Sequence, residues 1–263
     1  MKIAVIGAGF AAKPHLLSLA DLSSEVELAW LYGRTPTRLA QAAQNFVIPA
    51  GARTTTRLDD IWNDGDVKAV LVLTPPNTHL DIVRQAAEAG KHVLLEKPVE
   101  VNLARAVELV EVCERQGVTL AVMFQHRMRE AAVALRTLIH KGELGTLVSA
   151  SATARWWRPQ SYYDEPGRGT LARDGGGVLM TQAIHTIDLL LSLTGMPERV
   201  IGMVATSPVH RMETEDTAAA LLQFANGAIV TLEATTAAYP GYAEKLALNY
   251  TGGTATLESG ELV

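Results

Sequence analysis

Short apolar runs alternate with amphipathic stretches through the first half of the chain. Buried strands are predicted by the apolar runs at residues 3–6, 26–32, 67–73, 93–95 and 118–124. Helical patterns lie between these runs, and that of residues 102–116 has an apolar stripe that includes Cys113. Because strands and helices alternate, we predict an α/β domain with a doubly wound parallel sheet for residues 1–124.

The pattern changes in residues 125–263. A helix is predicted over residues 129–140. Long strands are then predicted at residues 146–157, 199–206, 216–224, 228–236, 244–250 and 254–258. The pairs Asn226-Gly227 and Gly252-Gly253 are turn signals that join neighbouring strands into hairpins. Residues 125–263 are therefore predicted to form an α+β domain with a mostly antiparallel sheet.

Three glycines, residues 175–177, precede a helical pattern over residues 178–191. Thr181, His185 and Asp188 recur at i, i+4 and i+7, so they are predicted to share one helix face. A glycine hinge before such a helix is one way to place a histidine acid or base beside a ligand. The alternative is a buried, hydrogen-bonded histidine in an ordinary core helix.

Composition narrows the class of protein. The chain is 48% hydrophobic, which is enough for packed cores, and its net charge of −5 comes without a basic tract. This argues against nucleic acid as a partner. Cys113 is the only cysteine, so no internal disulfide forms and a reducing compartment is expected. No apolar run reaches membrane-spanning length. We predict a cytoplasmic protein with neither a membrane partner nor a metal site.

The first strand runs into a Gly-x-Gly-x-x-Ala motif and then a helix. Gly7 would make the tight turn, Gly9 would let a pyrophosphate approach the backbone, and Ala12 would allow close packing of helix and strand. In this setting the motif predicts a dinucleotide site; the alternative is a glycine-rich turn without a ligand. The predicted cofactor-binding residues of the motif are Gly7, Gly9, Phe10, Ala11 and Ala12.

The end of the second strand bears on the choice of cofactor. An NAD enzyme usually has an acidic residue here to bind the ribose 2′-hydroxyl. This chain has Gly33 followed by Arg34, Thr35 and Arg38. Two guanidinium groups and a hydroxyl suit a 2′-phosphate, so we favour NADP(H), with NAD(H) as the alternative. The two arginines could also be solvated residues of the next helix.

Two further sites are suggested by position. Lys97 directly follows a parallel strand, at the edge where open α/β sheets bind ligands, although an ordinary surface lysine would look the same. A loop rich in arginine and aromatic residues precedes the glycine hinge. It suits a polar or acidic small molecule or, alternatively, a dimer interface. The residues proposed to select substrate are Arg155, Trp157, Arg158 and Arg168.

Four motifs occur in one order along the chain. They are Gly-x-Gly-x-x-Ala, Thr-Pro-Pro-Asn-Thr-His at 74–79, Glu-Lys-Pro at 96–98, and Gly-Gly-Gly before a helix with His-Thr-Ile-Asp at 185–188. In this order the chain resembles the Gfo/Idh/MocA oxidoreductase family over essentially its whole length. The resemblance implies a Rossmann domain, then an open antiparallel sheet that helps to form dimers or tetramers.

The resemblance also implies roles for single residues. Lys97 would sit beside the nicotinamide, with a Lys97–Pro98 bond that is often cis, and His185 would be the acid/base for a substrate hydroxyl. Arg127 matches a position near the active site, and Glu96 would touch the nicotinamide ribose. Other cofactor contacts would come from Thr74, Pro75, Asn77 and His79.

Two features depart from the family pattern. Thr181 stands where many members have an aspartate. The carboxylate that would hold substrate or tune the histidine is therefore missing, and the path of the proton is left undetermined. Members are also usually longer, so we expect a chain that is truncated at its C-terminus relative to the family.

The expected reaction is hydride transfer between a nicotinamide cofactor and a hydroxyl carbon of a sugar, sugar acid or polyol. Lys97 would stabilise negative charge on the reacting oxygen, Thr181 and Arg127 would contact substrate, and Asp188 would fix the His185 tautomer. Two alternatives stay open. One is a lyase or hydrolase that recycles a tightly bound cofactor, and the other is a non-catalytic NADP(H) sensor.

Overall fold

The structure is a computed structural model that describes residues 1–9, 11–49 and 51–263. It contains two compact units, Met1–Met123 and Phe124–Val263. Each unit has its own sheet and its own hydrophobic core.

Strands and helices alternate along the first unit. The strands are β1 (Lys2–Ile6), β2 (Glu27–Tyr32), β3 (Arg53–Thr55), β4 (Val67–Val72), β5 (His92–Leu95) and β6 (Leu120–Val122). The helices are α1 (Ala12–Asp21), α2 (Pro36–Asn45), α3 (Asp59–Trp62), α4 (His79–Glu88) and α5 (Leu103–Arg115). The strands pair in parallel in the order β3-β2-β1-β4-β5-β6, which confirms the predicted doubly wound sheet.

Both faces of this sheet are covered, which explains why its strands are continuous apolar runs. Ile3 and Val5 of β1 belong to the core cluster on one face, and Ala4 and Ile6 belong to the cluster on the other. Cys113 lies in the second of these clusters at 2% exposure, so it is a core residue as predicted, and burial raises the pKa of its thiol.

The second unit is built around a mostly antiparallel sheet, again as predicted. Its helices are α6 (Glu130–His140), α7 (Gln160–Tyr163), α8 (Leu171–Asp174), α9 (Val178–Thr181) and α10 (Ile184–Thr194). Its strands are β7 (Leu147–Arg155), β8 (Arg199–Ala205), β9 (Thr217–Gln223), β10 (Ile229–Thr235), β11 (Lys245–Tyr250), β12 (Gly253–Glu258) and β13 (Glu261–Leu262). The order is β13-β12-β11-β7-β10-β9-β8, in which β7 and β10 are parallel to each other and the other described pairs are antiparallel.

This sheet has one packed face and one open face. Leu135 of α6 and Leu190 of α10 are fully buried against inward-facing residues such as Val230 and Leu248. On the open face Ile201 lies opposite Leu221 in the ladder, and both are at least half exposed. Side chains alternate along a strand, so these outward positions cannot reach the core.

The helix predicted over residues 178–191 is broken. The backbone N–H groups of Gln182 and Ala183 both donate to the Val178 carbonyl, at 3.2 and 2.8 Å, and α10 begins one residue later. The helical segment that ends at Thr181 is bent by 56° from α10. The prediction that Thr181 shares one helix face with His185 is therefore wrong.

Within the part of the chain that is described, no single helix is long and apolar enough to cross a membrane. The helical segments Leu171–Thr181 and Ile184–Thr194 are long and apolar enough only when they are taken together, and they are bent by 56° at the break between them.

Candidate functional site

The glycine motif after β1 is shaped to receive a ligand. Gly7 has a φ of +118°, and a Cβ there would lie 3.0 Å from the carbonyl carbon of Leu73. A Cβ at Gly9 would meet no described atom within 4 Å, so this position borders open space. Ala11 and Ala12 lead directly into α1, whose N-terminal N–H groups suit a pyrophosphate. These residues fit a dinucleotide; Phe10 lies outside the described residues.

The residues after β2 are accessible to a cofactor. Arg34, Thr35 and Arg38 are all exposed, and the Thr35 hydroxyl accepts a hydrogen bond from the Arg38 N–H at 3.3 Å, which caps α2. No carboxylate occurs between Gly33 and Arg38 to repel a 2′-phosphate.

The turn after β4 exposes Pro75 and Asn77, whereas His79 supports the turn from inside. The ring nitrogens of His79 lie 2.8 Å from the Thr74 carbonyl and 3.1 Å from the Val99 carbonyl. The residue is 0% exposed, and this burial lowers its pKa. His79 therefore holds together two loops on which we expect the cofactor, and its own side chain does not reach their surface.

Glu96 and Lys97 follow β5 and are partly exposed, and the Lys97–Pro98 peptide is cis. The Glu96 carboxylate accepts from the Lys97 N–H at 3.0 Å and lies 2.8 Å from His15 Nε2 on α1. Sequence reasoning missed His15, although its position three residues after Ala12 places it on the same helix as the glycine motif.

In the second unit, two aromatic rings contact His185. It stands at the start of α10 and is 6% exposed. The His126 ring is stacked on it, with centroids 4.7 Å apart and planes at 27°. The Phe124 ring meets it edge-on at 6.4 Å. Sequence reasoning did not assign a role to His126.

The two charged residues expected beside His185 pair with each other. Arg127 Nε and Nη2 donate to the two oxygens of Asp188, at 2.6 and 2.5 Å. This bidentate pair raises the pKa of Arg127 through its hydrogen bond with Asp188. Asp188 thus anchors Arg127, and its predicted action on the His185 tautomer stays a prediction.

Glu215 organises the glycine hinge, and nothing local in the sequence signals this. Its carboxylate accepts from the N–H groups of Gly177 and Leu179, at 2.9 and 3.1 Å, and its carbonyl accepts from Val178 at 2.8 Å. Thr181 Oγ1 donates to the Gly177 carbonyl at 2.7 Å and also contacts the Gln182 side chain. The hinge is therefore held by hydrogen bonds and is not a loose connection.

The arginine-rich loop is folded on itself. The guanidinium carbons of Arg158 and Arg168 lie 5.3 and 4.0 Å from the centroid of the Tyr162 ring. Trp157 meets the Tyr239 ring edge-on at 5.3 Å. These side chains form a partly exposed polar and aromatic surface, which suits a sugar-like ligand.

A buried pair that the sequence did not reveal supports this loop. His210 Nδ1 lies 2.7 Å from Asp216 Oδ2, and its Nε2 donates to the Arg158 carbonyl at 2.8 Å. Although burial opposes ionisation, hydrogen bonds from Ser207 and His210 lower the pKa of Asp216. Nearby, burial raises the pKa of Tyr163 to about 12.

Arg155 is not part of the surface formed by Trp157, Arg158 and Arg168. It pairs with Glu233 on the open face of the sheet, whereas its neighbour Ala154 faces the helices. Because side chains alternate along β7, Arg155 is on the face opposite to α10. Its predicted role in selecting substrate stays a prediction.

Comparison with known proteins identifies the family. A model described as an oxidoreductase family with an NAD-binding Rossmann fold matches residues 1–124, and one described as the GFO/IDH/MocA C-terminal domain matches residues 132–256. The WlbA dehydrogenase of Bordetella pertussis, solved with NADH and UDP-GlcNAcA, is 30% identical with a TM-score of 0.91. The match covers 99% of this chain and 74% of that one. The chain belongs to the GFO/IDH/MocA family of oxidoreductases.

The chain is also similar to levoglucosan dehydrogenases. Levoglucosan dehydrogenase of Pseudarthrobacter phenanthrenivorans is 26% identical over 89% of this chain and 67% of its own length. A structure of a levoglucosan dehydrogenase with NADH and levoglucosan matches with a TM-score of 0.87 at 26% identity, over 98% of this chain and 73% of that one. The chain spans 73% of the length of one curated relative that it matches and 50% of another.

These comparisons confirm the predicted family, the fold class and the assignment as an oxidoreductase with an NAD-binding Rossmann domain. Among the described residues no group of three or more His, Cys, Asp or Glu side chains is placed to hold a metal ion.

Proposed function

We propose that this chain carries out hydride transfer between NADP(H) and a hydroxyl carbon of a sugar, sugar acid or polyol, with NAD(H) as the weaker cofactor. The observation that carries the proposal is the open position above Gly9 at the N-terminus of α1, on a Rossmann domain of this family. Relatives support the substrate class, because WlbA was solved with UDP-GlcNAcA and levoglucosan dehydrogenase with levoglucosan.

Different residues of the chain are proposed to transfer the proton, to stabilise charge and to bind the substrate. When bound, the nicotinamide supplies the hydride acceptor or donor. We propose that His185 takes the hydroxyl proton during oxidation and returns it during reduction. Lys97 is proposed to donate a hydrogen bond to the same oxygen and to stabilise its developing negative charge. Thr181 is proposed to orient the substrate, and the surface around Trp157, Arg158 and Arg168 to select it.

The test is a search for turnover in the full chain. Levoglucosan, UDP-GlcNAcA, inositol and gluconate are each offered with NADP⁺ and with NAD⁺, and formation of the reduced cofactor is followed by absorbance. We expect a change with at least one of these compounds. Tight binding of NADPH without turnover of any sugar or sugar acid would contradict an oxidoreductase and favour a sensor.

Replacing Arg34 by Asp should move the preference from NADP toward NAD. A charge-assisted hydrogen bond to the 2′-phosphate is worth about 1.5–3 kcal/mol, so the ratio of Kd for NADP to Kd for NAD should rise by about 10- to 100-fold. Titration calorimetry with both cofactors measures this ratio. Arg115→Asp on α5 makes the same change in charge away from the glycine motif. This control should leave the ratio of the two Kd values unchanged. An unaltered ratio in Arg34→Asp would remove Arg34 from the phosphate site.

We also propose that the open face of the second sheet joins copies of the chain into a homo-dimer or homo-tetramer. Ile201, Met203 and Leu221 line an outward groove there, and Met203 is 82% exposed. An apolar patch on an otherwise charged surface is a typical association site.

Met203→Glu should therefore break the assembly, because it would bury a charge in an apolar contact. Light scattering after size exclusion should show a wild-type oligomer and a lower mass for Met203→Glu. Met196→Glu is the control, because it alters a methionine of similar exposure, 76%, outside this groove. A wild-type monomer at micromolar concentration would contradict the proposal.

A further inference from the structure

His126 has no part in the reaction as proposed, yet its ring is stacked on that of His185 with the planes at 27°. The residue is buried, at 6% exposure, and belongs to the short helical turn Gln125–Met128 that precedes α6. The parallel stack and the edge-on Phe124 ring define two sides of the His185 imidazole. A ring in this position affects how easily His185 carries a positive charge.

The contacts of the two His126 ring nitrogens indicate where its own proton lies. Arg129 Nη2 is 2.7 Å from His126 Nε2. A guanidinium has only donors, so Nε2 must be the acceptor and carries no hydrogen. The ring proton is then on Nδ1, which faces Glu244 Oε2 at 3.3 Å, an oxygen that accepts. The Arg129 contact selects this neutral tautomer, and the position of the Glu244 carboxylate is compatible with its Nδ1–H.

We propose that Arg129 keeps His126 neutral, so that His126 positions His185 without competing with it for a proton. The inference rests on the proposed role of His185. A neutral aromatic face next to an imidazolium is favourable, whereas a second imidazolium 4.7 Å away would repel it. His126 is thus a positioning residue for the acid/base step.

Two other ion pairs lie in the described part of the second unit near this stack. Lys245 and Glu258 line the same cavity as His126 and form an ion pair at 3.0 Å. Arg127 is held by Asp188. Removing Arg129 takes away the guanidinium that occupies His126 Nε2, and Glu244 would then favour protonation of this nitrogen.

Nitrogen NMR of the full chain tests the tautomer directly and needs no substrate. In the wild type we expect His126 to carry its proton on Nδ1 and not to titrate between about pH 5 and 8. In Arg129→Met the ring should titrate within that range. Arg136→Met, which removes a guanidinium from the same helix region, is the control and should behave as the wild type. Wild-type His126 with a proton on Nε2, or titrating in this range, would overturn the proposal.

A second measurement separates this role from simple packing. The titration midpoint of His185 should fall by about half a unit to one unit in Arg129→Met, because His126 becomes cationic beside it. In the His126→Phe background the ring remains but cannot protonate, so Arg129→Met should no longer lower the midpoint. An equal fall in both backgrounds would contradict the proposal. Neither readout depends on turnover. The catalytic role of His185 is tested separately, by measuring turnover.

Discussion

His185→Ala is expected to lower kcat by about 10²–10⁴, the usual contribution of a positioned acid/base. The variant keeps the backbone of α10 and removes only the imidazole that we propose takes the hydroxyl proton. The loss should be seen with every sugar that the wild type turns over. Steady-state kinetics at several pH values, with the reduced cofactor followed by absorbance, measures it.

Two controls make the result specific. Because His185 is buried and stacked on His126, the unfolding midpoint and the Kd for NADPH are measured on the same preparation. We expect a Kd within about twofold of the wild type, since the predicted phosphate-binding residues lie in the first unit. His140→Ala removes an exposed histidine from α6 and should leave kcat unchanged. Normal turnover in a folded His185→Ala enzyme would exclude His185 from the mechanism.

Gly177→Ala is expected to destabilise the second unit by about 3 kcal/mol or more. A Cβ at this residue would lie 1.7 Å from the carbonyl oxygen of Glu215, a backbone atom that cannot move without breaking its hydrogen bond with Val178. The methyl group therefore displaces either the hinge or the strand connection that carries Glu215. Urea unfolding followed by circular dichroism gives the change in free energy.

Gly253→Ala provides a matched comparison in the same unit. A Cβ there would meet no described atom within 4 Å, and its φ is not in the left-handed region. We expect a change within about 0.5 kcal/mol. If Gly177→Ala were as stable as Gly253→Ala, the close approach of Glu215 to the hinge would not exist in solution.

The local pattern of the chain predicted a large part of this molecule. Continuous apolar runs predicted the parallel sheet because strands covered on both faces need apolar residues at every position. The turn pairs Asn226-Gly227 and Gly252-Gly253 predicted the antiparallel pairs β9–β10 and β11–β12, although only Gly227 of these four residues has a positive φ. The order of the short motifs predicted the family, and the comparisons confirm it.

Other features depended on contacts between residues far apart in sequence. The helix over residues 178–191 looked continuous because its apolar side is continuous, but it breaks at Gln182 and Ala183. Arg155 looked like part of a substrate loop, but alternation along β7 turns it to the open face. Such outcomes are decided by packing, which a local pattern does not contain.

The sequence by itself determined which chemical groups this protein has and the local elements that carry them. Gly7, Lys97 and His185 could be named as candidates because each follows a recognisable turn or strand. Only the tertiary structure decided the partners of those groups. The pairing of Arg127 with Asp188 and the stack of His126 on His185 join residues about 60 positions apart, at separations of 61 and 59 residues. Hydrogen bonds and ring contacts act over a few ångströms in space, and the chain's order does not specify which distant side chains come within that range.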